Sequence, residues 1–412
     1  MNQPLRVALF TDSFHETNGV ARVSREFASF AKRGNLPFFC VHAGPATGIS
    51  QDGSVRTIEL KRSLASFPLD KDLDCDPLLN RYRNRLVREL TEFQPDVIHI
   101  TGPGDLGVLG FWVAHILGVP LAASWHTNLH EYASRRLYGA LSFAPERLRG
   151  AVAGAAERWS LRALMAFYRL AHFTFAPNPS MVELLQTRTG RPAYPMEHGV
   201  DLSQFSPAAG GKRAGPFRIG YVGRLTVEKN VRAFVDLQRK LESARERDFQ
   251  LVLVGDGRER GYLRRHLPQA EMPGILHGDS LANAYASMDA FVFPSRTDTF
   301  GLVILEAMAS GVPVLVTPET GARVGIRDGV EGFLSHDFAR GILTLIHADA
   351  RRREMGCAAR QFACSKDWDT VFRAVYRTYE EALETSAVRD RLPARYGAEI
   401  TTEAAARLNA GH

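Results

Sequence analysis

Short apolar runs alternate along the chain with segments in which apolar residues recur at helical spacing. The first set of apolar runs covers residues 6–11, 38–44, 97–100, 121–125 and 173–176. A second set covers residues 217–223, 251–255, 290–294 and 313–317. Strands that alternate with helices are typical of parallel sheets covered by helices on both faces. The pattern therefore predicts an α/β fold with two doubly wound domains that face a central cleft.

A stretch rich in Pro, Gly and small residues, SQFSPAAGGKRAGP at 203–216, separates the two sets of strands. This composition is typical of a linker. A chain of 412 residues also exceeds what one hydrophobic core usually supports. We therefore predict an N-terminal domain at 1–202, a linker at 203–216 and a second domain at 217–365.

The segment 366–384 has a different pattern, with apolar residues at the spacing of a helix that buries a broad stripe. These residues are Trp368, Val371, Phe372, Val375, Tyr376 and Tyr379. We expect one helix here that packs across the domain boundary. The remainder, 385–412, is polar and rich in Ala and Arg, and we expect it to form a loose tail.

Composition narrows the function classes. Hydrophobic residues make up 45% and charged residues 23% of the chain, as in ordinary globular proteins. The net charge of +6 indicates an anionic partner, which can be nucleic acid, anionic lipid or a phosphorylated small molecule. No nucleic-acid-binding module is recognisable, so nucleic acid is not expected. Four scattered cysteines and the lack of a signal-peptide pattern favour the cytoplasm.

Two candidate residues follow strands of the first domain, where doubly wound folds bind ligands. Gly19 lies in the loop before a predicted helix, so a phosphate or sugar can approach its backbone N–H. His126 follows the strand LAASW and can exchange a hydrogen bond with a substrate hydroxyl or phosphate. The alternatives are a plain turn for Gly19 and a structural histidine for His126.

In the second domain, YVGRLTVEKN follows a strand and places Arg224 and Lys229 in one short loop. Two cations beyond a strand end can converge on a diphosphate and offset the charge of a leaving group. The alternative is an exposed basic loop. The later stretch VGDGRERG has the spacing GxGxxxG, one residue longer than the dinucleotide fingerprint, so it gives only a weak nucleotide-loop signal.

The stretch DTFGLVILEAMASG contains Asp298 and Glu306 on either side of Gly301. Gly301 is expected at the N-terminus of a helix, where backbone N–H groups hold phosphate. The two acids are then available to hydroxyl groups of a sugar and a ribose. In one alternative Asp298 caps the helix and Glu306 is solvated. In another they form the acid/base pair of a glycosidase, which leaves the neighbouring cations unexplained.

The order of the motifs along the chain resembles the retaining nucleotide-sugar glycosyltransferases of family 4. The resemblance rests on TNGVARV, WHTN, EHGVDLSQFSP, YVGRLTVEKN, LVLVGDG, FVFPSRTDTFGLVILEAMASGVPVL and DWDTVFRAVYRTYEEAL. It implies the GT-B architecture of two facing Rossmann-like domains, with a group 1 C-terminal domain and a last helix that crosses back to the N-terminal, acceptor-binding domain. The family's E-x7-E element is D-x7-E here, from Asp298 to Glu306.

The resemblance also assigns roles to residues of the second domain. Arg224 and Lys229 would clamp the diphosphate, and Glu306 would bind the ribose of the nucleotide. Asp298 would hold the transferred sugar. Its side chain is one methylene shorter than the family's usual glutamate, so its reach to the sugar hydroxyls is open.

The remaining roles concern backbone groups and the first domain. The backbone of Phe300, Gly301 and Leu302 would bind the sugar and the β-phosphate. Gly19 would contact the diphosphate from the opposite domain, and His126 would lie near the donor sugar and the reacting centre. The expected catalytic set is therefore His126, Asp298, Arg224 and Lys229, and the expected donor-binding set is Gly19, Phe300, Gly301, Leu302 and Glu306.

The implied reaction moves a hexose, glucose or mannose, from a UDP- or GDP-sugar to an acceptor hydroxyl with retention. No metal and no other cofactor is expected, since the cations and the helix N-terminus offset the diphosphate charge. A sugar-nucleotide epimerase or phosphorylase of the same architecture is an alternative. A noncatalytic sugar-nucleotide binding protein is another.

Two Arg-rich stretches, at 81–90 and 135–173, mix arginines with leucines or aromatic residues. Such segments can lie on anionic lipid. They would allow peripheral association with the inner face of the membrane and a lipid or lipid-linked glycan acceptor. The alternative is that they are ordinary amphipathic helices of the domains.

Overall fold

A computed structural model gives the structure of the protein and describes residues 3–16, 18–70, 73–126, 146–207, 215–296, 298, 300–323 and 325–385. The chain folds as two compact units. One contains the described residues up to Glu197 and again those from Phe372 onward, and the other is His198–Val371. The part of the predicted linker at 208–214 and the predicted tail beyond Thr385 lie outside the described residues.

The first unit is built on an eight-stranded sheet. The strands of the unit, those of the sheet and of a separate hairpin together, are β1 (Val7–Thr11), β2 (Phe38–Gly44), β3 (Gly48–Asp52), β4 (Val55–Lys61), β5 (Phe67–Asp70), β6 (Leu73–Cys75), β7 (Val97–Ile100), β8 (Leu121–Ser124), β9 (Phe173–Ala176) and β10 (Ala193–Pro195). Its helices are α1 (Gly19–Arg33), α2 (Arg83–Phe93), α3 (Asp105–Leu117), α4 (Glu146–Tyr168) and α5 (Pro179–Thr189). The strand order is β10-β9-β8-β7-β1-β2-β4-β3, while β5 and β6 form a separate hairpin.

The second unit is built on a six-stranded sheet of order β13-β12-β11-β14-β15-β16. Its strands are β11 (Phe217–Val222), β12 (Phe249–Val254), β13 (Glu271–Gly274), β14 (Ala290–Phe293), β15 (Val314–Val316) and β16 (Gly332–Leu334). Its helices are α6 (Ala233–Ser243), α7 (Arg260–His266), α8 (Gly278–Ala286), α9 (Leu302–Ala309), α10 (Phe338–His347) and α11 (Asp349–Cys364). A last helix, α12 (Trp368–Glu384), starts in this unit and continues into the first.

The predicted fold class is confirmed. Each apolar run of the sequence forms a strand, and these central strands pair in parallel. They are apolar because both faces of a parallel sheet are covered by helices. The strands that the pattern missed are short or polar, such as β3, whose five residues are all exposed and which pairs antiparallel with β4.

The units divide between Glu197 and His198, a few residues before the predicted linker. The reason is local packing after His198. The backbone N–H of Val200 donates to the carbonyl of Lys366 at 2.9 Å, and the Phe205 ring is fully buried against Tyr285, 5.6 Å between ring centroids. This segment is therefore part of the core of the second unit.

The apolar stripe of α12 is buried along its length. In the first unit the Phe372 ring stacks on that of Phe27, with centroids 4.4 Å apart. The Tyr379 hydroxyl hydrogen-bonds to Nδ1 of His99, a fully buried residue of the central strand β7. Burial lowers the pKa of His99 to about 3. A neutral His99 can accept a hydrogen bond from the tyrosine hydroxyl at Nδ1, and this contact anchors the helix to the sheet.

Removing this hydroxyl with Tyr379→Phe should destabilise the first unit by about 1–3 kcal/mol, because the buried Nδ1 of His99 loses its hydrogen-bond partner. Native-state hydrogen exchange of the β7 amides measures this locally. Tyr376→Phe is the matched control, since the Tyr376 hydroxyl is buried without a hydrogen-bond partner among the described residues. Equal exchange rates in the two variants would contradict the assigned role of the Tyr379 hydroxyl.

Candidate active site

The carboxyl ends of β11 and β14 lie side by side because these strands are neighbours in the second sheet. Arg224 comes two residues after β11, and Lys229 ends a short 3₁₀ turn, Val227–Lys229, in the same loop. Asp298 lies in the loop that follows β14. The parallel sheet therefore places two cations and one carboxylate, distant in sequence, at one edge.

Lys229 and Asp298 form an ion pair in which Nζ contacts Oδ1 of the carboxylate. Their side chains are only 13% and 16% exposed. The second oxygen, Oδ2, is buried and has no hydrogen-bond partner among the described residues. An unsatisfied buried carboxylate oxygen costs free energy. Oδ2 of Asp298 is thus available to accept a hydrogen bond from a hydroxyl of a bound ligand.

Glu306 is buried, with 4% of the residue exposed, in the second turn of α9. The Tyr285 hydroxyl donates to its Oε2 at 2.7 Å. The N-cap of α9 is Gly301, and no side chain caps it. The alternative of a capping Asp298 and a solvated Glu306 is therefore wrong. A carboxyl group buried in a helix of apolar residues needs a hydrogen-bond partner, and the Tyr285 hydroxyl supplies one.

Gly301 is closely packed at the start of α9. A Cβ atom at this position would lie 2.7 Å from Cδ1 of Ile304 and 3.0 Å from Cβ of Ala322. Leu302 is the first helical residue, and the first backbone N–H groups of α9 have no partner within the helix. The neighbouring Phe300 ring packs on His198, with centroids 4.4 Å apart.

Two hydroxyl residues of this edge were missed by the sequence analysis. Ser295 is fully buried directly beyond β14, and Thr226 lies between Arg224 and Lys229. The hydroxyl oxygens of both are buried without a hydrogen-bond partner in the described part of the chain. Their position after a strand was the available signal, but serine and threonine are too common in loops for that signal to single them out.

The GxGxxxG stretch has a packing explanation. Gly255 has φ +129°, and a Cβ there would lie 2.0 Å from the carbonyl oxygen of Gly223. A Cβ on Gly257 would lie 2.3 Å from the carbonyl oxygen of Leu225. Both glycines therefore let the loops after β11 and β12 approach each other.

The first unit contains the other two predicted residues. Gly19 is exposed and begins α1, whose N-cap Asn18 accepts a hydrogen bond from the Ala21 N–H at 2.9 Å. His126 follows β8, and its Nε2 is 2.7 Å from the hydroxyl of Ser124. Burial lowers the pKa of His126 to about 4, so its imidazole is neutral at pH 7 and can exchange hydrogen bonds without carrying charge.

The sequence matches two models of protein families. The model described as Glycosyltransferase Family 4 matches residues 17–204. The model described as Glycosyl transferases group 1 matches residues 216–348. The group 1 match covers the second set of strands, and the family 4 match covers the first set except the run at 6–11.

Relatives of described function agree with these two family matches, and so do solved structures. The chain is 34% identical over 322 residues to a GDP-mannose-dependent alpha-mannosyltransferase of Mycolicibacterium smegmatis, covering 74% of this chain and 79% of the relative. It is 28% identical over 410 residues to a protein of the same description from Corynebacterium glutamicum, covering 95% and 92%. The fold is similar to that of the sucrose-phosphate synthase of Thermosynechococcus elongatus, with a TM-score of 0.68 and 18% identity over 92% of this chain and 98% of the other.

The fold similarity extends over nearly the whole of both chains, which confirms the GT-B architecture. The identity to the mycobacterial relative extends over most of its length. The chain therefore belongs to the glycosyltransferases of family 4, enzymes that transfer a hexose from a nucleotide sugar to an acceptor.

Proposed function

We propose that this enzyme transfers a mannosyl unit from GDP-mannose to an acceptor hydroxyl, with retention of configuration at the anomeric carbon. The observation that carries the proposal is the buried Oδ2 of Asp298, which lacks a partner among the described residues beside the Lys229 ion pair. The relatives described as GDP-mannose-dependent alpha-mannosyltransferases support guanine as the base of the donor nucleotide and mannose as its sugar.

Asp298 acts as the holder of the sugar. Lys229 contacts Oδ1, which fixes the carboxylate and leaves Oδ2 for a sugar hydroxyl. The hydrogen bond from that hydroxyl to a carboxylate is charge-assisted and strong. Because the carboxylate is held before the donor binds, little reorganisation is needed when charge develops at the anomeric carbon.

The diphosphate charge is offset by three features of the second unit. Lys229 and Arg224 supply positive charge at the strand edge, and the N-terminus of α9 supplies backbone N–H groups and the positive end of the helix dipole. These groups can stabilise the leaving nucleoside diphosphate without a metal ion. Glu306, held by the Tyr285 hydroxyl at 2.7 Å, binds the ribose diol in this scheme.

Retention follows when the acceptor hydroxyl attacks from the face that the diphosphate leaves. The departing phosphate oxygen then takes the proton of the acceptor. A neutral His126, whose pKa is lowered to about 4 by burial, contacts the donor sugar through a hydrogen bond and adds no charge near the oxocarbenium-like state. Gly19 remains a proposed contact of the diphosphate from the first unit.

We further propose that the acceptor is a lipid or lipid-linked glycan and that the enzyme lies on the cytoplasmic face of an anionic membrane. In the part of the chain that the structure describes, no helix is long and apolar enough to cross a bilayer. Instead, α3 and α4 expose apolar side chains. On α3 these are Val108, Trp112 and Ile116, four residues apart, and on α4 they include Val152 and Trp159.

The helices α3 and α4 lie on the same face of the first sheet. The helix α3 connects β7 to β8, and α4 connects β8 to β9, so both connections move to the next strand in the same direction across the sheet. Right-handed crossovers in the same direction place both helices on one side of the sheet. The Trp159 side chain is 71% exposed, between the exposed arginines 158 and 162. Exposed tryptophan beside arginine suits the headgroup region of anionic lipid. The predicted stretch at 135–145 lies outside the described residues.

The donor is tested with the purified full-length enzyme, a membrane lipid extract and each common sugar nucleotide in turn. We expect GDP release from GDP-mannose with a kcat/KM at least about tenfold above that for UDP-glucose, a difference of about 1.4 kcal/mol. The labelled sugar should appear in the lipid fraction. Preference for UDP-glucose would overturn the choice of donor, and isomerised donor without a glycosylated acceptor would favour the epimerase alternative.

Asp298→Asn should lower kcat by roughly 100- to 1,000-fold, because one preorganised group at the reacting sugar is lost. Asp337→Asn is the matched control, since Asp337 pairs with Lys240 in the same unit at 3.0 Å but both side chains are about half exposed. Its kcat should equal that of the unchanged enzyme. An Asp298→Asn enzyme with unchanged kcat and a lowered melting temperature would assign the pair to stability alone.

The double variant Trp159→Ser with Arg162→Ser should bind anionic phospholipid vesicles about tenfold more weakly, since one Arg near such a surface contributes about 1 kcal/mol and Trp adds apolar contact. Co-sedimentation at low salt measures this. The control Ile275→Ser with Arg265→Ser removes the same kinds of exposed side chain from the second unit. Equal binding to neutral and anionic vesicles would contradict the proposed surface.

A further inference from the structure

Three potential metal ligands meet at the carboxyl edge of the first sheet. His42 and Glu59 are direct partners in the register of β2 and β4, and His15 lies in the loop that follows the adjacent strand β1. One nitrogen of each histidine and one oxygen of Glu59 all lie within 4.8 Å of one another. None of these residues takes part in the proposed sugar transfer.

His42 is held in the orientation and tautomer of a ligand. It is 3% exposed, and its Nδ1 is 3.2 Å from the carbonyl oxygen of Ala43. A carbonyl only accepts, so the proton is on Nδ1 and Nε2 keeps its lone pair. The Phe14 ring stacks on the imidazole, 4.3 Å between centroids and 3° between planes. Burial lowers the pKa of His42.

Glu59 is fixed in a similar way. Its Oε1 accepts a hydrogen bond from the backbone N–H of Ala46 at 3.0 Å. A Cβ atom on Gly44 would lie 2.3 Å from this Oε1, so the carboxylate occupies space that only glycine leaves. The other oxygen, Oε2, faces Nε2 of His15 at 4.0 Å, too far for a direct hydrogen bond. A gap therefore remains between Nε2 of His15 and Oε2 of Glu59.

We propose that His15, His42 and Glu59 bind a divalent transition-metal ion, zinc by preference, with a fourth position open to water. Two imidazoles and one carboxylate form a known zinc ligand set, with bonds of about 2.0–2.2 Å. Tetrahedral bonds of that length place ligand atoms about 3.3 Å apart, so the ligand atoms, now within 4.8 Å of one another, must approach by up to about 1.5 Å. His15 can supply this movement because its side chain is 54% exposed.

The ion would tie the loop after β1 to β2 and β4. That loop leads into Asn18 and Gly19 at the start of α1, so metal binding would order the segment that carries a proposed donor contact. The site is built entirely from residues of the first unit and is independent of the cations of the second.

Zinc binding is tested on the full-length chain after treatment with a chelator, by competition with a chromogenic zinc indicator. We expect about one tight site per chain. His15→Ala and Glu59→Gln should each weaken it by at least about 100-fold, more than the roughly 10- to 100-fold effect of outer-shell partners. Because His15 is exposed, its replacement should leave the melting temperature without zinc unchanged.

The matched control is His336→Ala. His336 also faces a carboxylate, that of Glu319, at 2.7 Å, with both side chains about half exposed, but this pair has no third ligand among the described residues. The control should bind zinc like the unchanged chain. With Co²⁺ in place of zinc, the unchanged chain should show the intense visible absorption of a four-coordinate site, and His15→Ala should not. Tight binding that survives in His15→Ala, or is lost equally in His336→Ala, would overturn the proposal.

Discussion

The pairing of parallel strands is the constraint on which the rest of this structure depends. Neighbouring parallel strands run in the same direction, so their carboxyl ends meet at one edge of the sheet. In the second unit this brings the loops after β11 and β14 together. Lys229 and Asp298 form an ion pair only because of that adjacency. In the first unit the same rule assembles His15, His42 and Glu59.

The acidic groups of this protein differ in how far they are withdrawn from water. Basic and acidic side chains form many ion pairs on its surface, such as Lys240 with Asp337, and exposed pairs contribute little to stability. The Asp298 carboxylate and the Glu306 side chain are different because they are withdrawn from water. In the proposed scheme a sugar hydroxyl supplies the partner that Oδ2 of Asp298 lacks among the described residues, which links the geometry of the site to donor binding.

The sheet and the candidate site differ in how far the sequence predicts them. Central strands such as β7 and β9 are predicted to the residue because an apolar run between turn residues has few other structures available. Edge elements such as β3 carry polar residues on both faces and give no such signal. Among site residues, Asp298 and Lys229 were found as separate motifs, whereas Ser295 and Thr226 required knowledge of which hydroxyls are buried.

The sequence by itself determined the two sets of strands, the α12 stripe and the motif order that marks a family-4 glycosyltransferase. These features depend on local periodicity and spacing, which a linear pattern records. The tertiary structure decided that Lys229 faces Asp298, that Glu306 is held by Tyr285, and that His42 and Glu59 are partners across two strands. Such contacts join residues far apart in the chain, and only the register of the sheets and the packing of helices on them determine which residues meet.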